Sequence, residues 1–140
     1  MHIILLAIPE SNGSNRYTIR TPTTGKGRYV RQSSSADSFG IITLQLEPYS
    51  GPEAFLLVWQ VTEEQIPGEF IPGVIEGIRR AAQQERAEGA QLTHIKVVVV
   101  DGAFHPVDSH ARAYTLATLL AFEEALTSTS LIPFVETARQ

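Results

Sequence analysis

The sequence predicts an α+β protein, with helices packed on one face of a mixed sheet. Three observations point there. Ala54 to Val61 and Leu92 to Val100 are apolar, β-branched runs of strand length. Helical periodicity lies between them, and a second amphipathic stretch follows the latter run. The element order reads roughly β-β-β-α-β-α-β.

Ile3 to Ile8 reads as a short buried strand, or as a strand belonging to a neighbouring unit. It lacks the basic start and long apolar stretch of a signal peptide. Glu10 to Asn15 is a turn cluster of Ser, Asn and Gly. Tyr17 to Arg20 suits a brief strand, Pro22 to Gly27 a loop, Arg28 to Gln32 a strand and Ser33 to Ser38 a polar loop. In Gly40 to Glu47 the alternation places Ile42, Leu44 and Leu46 on one face. Ala54 to Val61 is apolar on both faces, as in a central strand. From Pro67 onward, Ile71, Val74, Ile75, Ile78, Ala81 and Ala82 share one helix face. Pro72 fits the first turn, and Gly89 is the expected stop. Asp101 to Asp108 reads as loop. Ser109 to Thr127 reads as a helix burying Tyr114, Leu116, Leu119, Leu120 and Leu126, capped by Asp108 or Ser109. Leu131 to Glu136 suits a last strand. The expected core includes Ile42, Leu44, Phe55, Leu57, Val74, Ile75, Ile78, Val97, Val99, Leu116 and Leu120.

The chain has 140 residues, 43% of them hydrophobic, which suits one domain with its own core over residues 1–140. The formal net charge is -4, so any contact with nucleic acid must come from a local patch. There is no cysteine, which excludes disulfides and thiolate metal sites and favours a cytoplasmic protein. No apolar run approaches the ~20 residues of a membrane span.

Four stretches, in order, resemble domain IV of translation elongation factor G. Tyr29 to Gln32 (YVRQ) resembles the family's opening strand. Ile66 to Arg80 (IPGEFIPGVIEGIRR) resembles its I-P-x-E-[YF]-I-P-x-[VI]-x-x-G-[IV] helix. Val97 to Ser109 (VVVVDGAFHPVDS) resembles its V-x-[LV]-x-D-G-x-[YF]-H-x-V-D-S strand and loop. Ala113 to Ala125 is similar to its last helix. The resemblance defines a core over residues 28–126, an N-terminal extension over 1–27 and a tail over 127–140. Leu131-Ile132-Pro133 is similar to the family's entry into the next domain, so a fragment of a larger factor is one reading of the ends.

The resemblance implies a four-stranded mixed sheet, two main helices on one face and a left-handed βαβ crossover through Pro72 to Glu88. It also implies a tip that enters the decoding site of the small ribosomal subunit. Two loops form that tip. The family's histidine matches His105, followed here by Pro106, Asp108 and Ser109; its glycine-rich loop matches Ser33 to Phe39. Here that loop reads Ser33-Ser34-Ser35-Ala36-Asp37-Ser38-Phe39, without the family's arginine and glutamine and with an added aspartate. Pro106 stands where the family commonly has an acidic residue, and would stiffen His105 in an extended conformation.

The tip candidates are therefore His105, Pro106, Asp108, Ser109, Ser34, Ser35 and Arg31. Lys26, Arg28 and Arg31 could form a small basic patch, with Tyr29 and Phe39 available for stacking. A solvated, charged strand edge is an equal reading. His105, Asp108 and His110 are too closely spaced across a loop-to-helix junction to converge readily on a metal. His94 reads as exposed or hydrogen-bonded. Arg79, Arg80 and Arg86 read as a solvated helix face. Glu63 and Glu64, or Glu123 and Glu124, are adjacent residues whose side chains diverge by about 100° on a helix. Gly25-Lys26-Gly27 is not a P-loop, because the upstream glycine and the following Ser or Thr are missing.

These readings predict no nucleotide, no cofactor, no metal, no membrane partner and no enzymatic activity. The expected function is a translation-associated module with weak affinity for small-subunit ribosomal RNA. The alternative is a protein-interaction or structural module that has lost the ribosomal contacts.

Overall fold

The computed structural model describes residues 2–8, 15–32, 37–86 and 89–135. Its elements are β1 (His2–Leu6), β2 (Arg16–Ile19), β3 (Thr23–Arg31), β4 (Ser38–Pro48), β5 (Phe55–Trp59), α1 (Ile71–Gln83), β6 (Gln91–Leu92), β7 (Ile95–Ala103), α2 (Ala111–Leu126) and β8 (Leu131–Pro133). A 3₁₀ turn, Gly68–Phe70, leads into α1. The expected α+β architecture with a mixed sheet and two main helices is present.

Among the described residues the main sheet has five strands, in the order β1-β5-β7-β4-β3. This corrects the four-stranded expectation: β1 adds an antiparallel strand beside β5, with Ile4 opposite Leu57. β5 and β7 are parallel neighbours, joined by the crossover that contains α1. β4 pairs antiparallel with both β7 and β3. A second, three-stranded sheet has the order β6-β2-β8.

Both helices pack against one face of the main sheet and share one core. Ile42, Leu44, Phe55, Leu57, Val74, Ile78, Val97, Val99 and Tyr114 are buried in it. Ile75 is only partly buried. Leu116 and Leu120 depart from the expected core: Leu116 is half-buried and Leu120 is 46% exposed. The buried residues of α2 are instead Tyr114 and Phe122 together with small ones, with Ala113, Ala117, Ala121 and Ala125 at four-residue spacing. They lie against Gly40, Gly27 and Gly25 of β4 and β3. A Cβ at Gly27 would overlap the Ala117 carbonyl, and one at Gly40 would stand 2.9 Å from the Ala113 carbonyl oxygen. The opposite side of α2 meets α1 in the same way. A Cβ at Gly77 would stand 2.7 Å from the Thr118 Cβ. Two stripes of small residues thus allow α2 to lie close to the sheet and to α1 together. Buried Thr23 adds a hydrogen bond from its hydroxyl to the Ala125 carbonyl, 2.7 Å.

Other boundaries also move. Residues 23–27, expected as loop, belong to β3, because their glycines face α2. The expected Leu92 to Val100 strand divides at His94, whose φ of 58° turns the chain between the two sheets. β7 then runs on to Ala103. Helix α1 ends at Gln83, where Gln84 turns extended, and not at Gly89. Neither Asp108 nor Ser109 caps α2, which starts after His110 with no side-chain cap.

Candidate RNA-contacting tip

β3 and β4 form a hairpin whose open end pairs Arg31 with Ser38. The segment before α2 arrives at the same end of the sheet, since Ile41 at the start of β4 pairs with Ala103 at the end of β7. Backbone pairing therefore sets the hairpin end beside residues 104–110. Ser34 and Ser35 lie outside the described residues.

Phe39 ties the two segments together. Its N–H donates to the Asp108 carbonyl at 3.2 Å, and its carbonyl accepts the Ser109 hydroxyl at 2.7 Å. The Ser109 oxygen also accepts the His105 N–H at 2.8 Å, while the Ser109 N–H donates to the His105 carbonyl at 3.0 Å. Ser38 Oγ and His110 Nε2 form a further bridge, 2.9 Å. Ser109 thus closes the histidine turn and holds the hairpin; it does not cap the helix. Tyr114 anchors the arrangement from below, donating its hydroxyl to the Ala103 carbonyl at 2.6 Å. Burial raises the Tyr114 pKa, so the phenol stays a donor.

His105 is exposed at the crest of the turn formed by Pro106, Val107 and Asp108. Its Nδ1 accepts the N–H groups of Val107 and Asp108, both at 3.2 Å. An acceptor Nδ1 places the proton of the neutral ring on Nε2, which becomes a donor for a partner. The Asp108 carboxylate stands 3.7 Å from Nδ1 and pairs with the ring once it is protonated. The Phe39 ring lies 6.1 Å from the imidazole. Arg31 is exposed, with its guanidinium 5.2 Å from the Tyr29 ring centroid. Lys26 and Arg28 are exposed on alternate residues of β3, facing away from the helices. The structure therefore brings His105, Pro106, Asp108, Ser109 and Arg31 to one end of the molecule.

The remaining charged candidates serve the fold. Glu76 is hydrogen-bonded to Arg79 and Arg80, and those bonds lower its pKa to about 2. Arg86 pairs with Glu123 at 3.1 Å. Glu124 accepts the Lys26 N–H at 2.6 Å. Glu63 accepts the Gly68 N–H at 2.9 Å. Among the described residues, no group of three His, Cys, Asp or Glu side chains could hold a metal ion.

The family model for elongation factor G, domain IV, matches residues 14–130. The chain belongs to the elongation factor G domain IV family. It is 35% identical over 111 residues to elongation factor G of Fervidobacterium nodosum, covering 79% of this chain and 16% of that protein. It is 33% identical over 115 residues to elongation factor G of Pseudothermotoga lettingae, covering 81% of this chain and 17% of that protein. A crystal structure of a protein from Thermus thermophilus superposes with a TM-score of 0.77 at 28% identity, covering 91% of this chain and 18% of that one. The chain thus spans under a fifth of the length of these relatives.

One tip feature escapes the sequence. Phe39 reads there as available for stacking, yet its backbone joins the start of β4 to the turn carrying His105. A pattern of residue types cannot reveal a main-chain contact across 70 residues. Far from the tip, His94 stacks on Phe134 with ring centroids 4.1 Å apart, beside Tyr49 and Arg16. In the sequence His94 reads only as exposed or hydrogen-bonded, and the cluster is not legible.

Proposed function

We propose that this chain is a ribosome-associated module that uses the domain IV tip to contact small-subunit RNA, without any nucleotide-driven step. The supporting observation is the double hydrogen bond of Phe39 to Asp108 and Ser109, which ties the start of β4 to the turn carrying His105. A preassembled tip spends less ordering entropy on binding. The contact is electrostatic and weak. The exposed cations at this end are few, Asp37 adds local repulsion, and the chain is acidic overall. Family membership favours a translational role and a cytoplasmic site of action; no helix among the described residues is long and apolar enough to cross a membrane.

Co-sedimentation with ribosomes tests this reading. Wild-type chain pellets with ribosomes at low salt and less so at moderate salt. His105→Ala and Arg31→Ala each reduce the pelleted fraction. Absence of pelleting at low salt refutes the proposal and leaves the protein-interaction reading in its place. Tight binding indifferent to both substitutions shows that another surface is used.

A further inference from the structure

We infer that β1 is a homodimerisation edge, at which two copies of this chain pair antiparallel to make one continuous sheet from their two five-stranded ones. Among the described residues, β1 pairs only with β5 and forms the border of the five-stranded sheet. A border strand presents a row of backbone N–H and C=O groups along its outer side, and proteins that stay monomeric blunt such edges with charge, proline or bulges. The opposite border is blunted in this way. Strand β3 carries exposed Lys26, Arg28 and Arg31, and its Lys26 N–H is taken up by the Glu124 carboxylate. β1 has none of these devices. Its sequence, His2-Ile3-Ile4-Leu5-Leu6, contains no Asp, Glu, Lys, Arg, Pro or Gly, and no register shift interrupts its pairing with β5.

The side chains say which partner fits. Leu6 is buried and Ile4 packs against the core, so Ile3 and Leu5 stand on the sheet face that carries no helix. They are 63% and 57% exposed. Across β5 they adjoin Leu56 and Val58, and Val98 lies beyond Val58 on β7, so the apolar strip continues inward from the edge. An occupant must be an extended strand, uncharged, with aliphatic residues at alternate positions. A second copy of β1 meets every term. In an antiparallel pair centred on Ile4, Ile3 of one copy falls opposite Leu5 of the other, and the reverse holds by the twofold axis. The exposed aliphatic pairs then cover each other, and no like charges are brought together within the paired strands. β1 also lies outside residues 14–130, the segment shared with the domain IV family.

The test uses the full chain in sedimentation equilibrium across low to high micromolar concentration. Wild type associates to a dimer. Ile3→Lys and Leu5→Lys, both at exposed positions, shift the chain to monomer with an unchanged circular dichroism spectrum. The register is checked by cross-linking, which is clean because the chain has no cysteine. Ile3→Cys mixed with Leu5→Cys gives the mixed disulfide dimer faster than either variant gives its own. A wild-type chain that stays monomeric throughout overturns the inference. So does a dimer that survives Leu5→Lys, or a cross-linking pattern in which the mixed pair has no advantage.

Discussion

At the scale of single residues, the decisive positions are those without side chains. Gly25 and Gly27 read in the sequence as turn punctuation around a lysine, because glycine clusters usually mark loops. In the fold they are strand residues against which a helix backbone rests. Glycine inside a strand marks close approach of another backbone, but nothing in the local sequence announces which one. The alanines of α2 give half of the signal, and the strand glycines lie far away along the chain. This also explains why the leucines of α2 read as core residues: the sequence pattern weighs hydrophobic size, whereas close packing selects smallness. Gly27→Ala is expected to destabilise the chain by about 1–3 kcal/mol or more in urea unfolding, since backbone and not a flexible side chain blocks the new methyl. Leu120→Lys is expected to stay within about 0.5 kcal/mol of wild type.

At the scale of elements, the start and apolar face of helix α1 are legible in the sequence, while its end, expected at Gly89, falls at Gln83. Its apolar positions recur at helical spacing, and proline sits in its first turn. The polar face is legible too, and its charges act locally. Glu76 has a folded-state pKa of about 2 against an ordinary 4.5, chiefly through hydrogen bonds from Arg79 and Arg80. A depressed carboxylate stabilises the fold at pH above its unfolded value, and that contribution fades as pH falls from 4.5 towards 2. The melting temperature of Glu76→Gln should therefore lie below that of wild type at neutral pH and converge with it as pH approaches 2. The site is legible at lower resolution. His105, Asp108 and Ser109 are recognisable from their motif, but the role of Ser109 is not, since serine before a helix ordinarily reads as a cap. In the fold it bridges His105 and Phe39. Ser109→Ala should cost about 1 kcal/mol. It should also speed amide exchange at His105 relative to the middle of β7, as the two tip segments lose their tie.

At the scale of the whole molecule, β4 links two ends. Its 11 residues run from the tip at Ser38 to the aromatic cluster beside Tyr49, roughly 35 Å at the usual rise per residue. The sheet thus carries the tip candidates at one end and the aromatic cluster at the other. The fold class, the helix order and the tip histidine are all present in the sequence pattern. The fifth strand is legible only in part, because Ile3 to Ile8 reads as a short strand without showing whether it joins this sheet or a neighbouring unit. The proposed function requires that this end bind ribosomal RNA through few phosphate contacts, despite a net charge of -4. The most direct test is the slope of log binding constant against log salt for the small ribosomal subunit. With Arg28 and Arg31 as the contributors, the slope should be about -1 to -2, and Arg31→Ala should reduce its magnitude by roughly one. A slope near zero, or one unchanged by Arg31→Ala, would contradict the account.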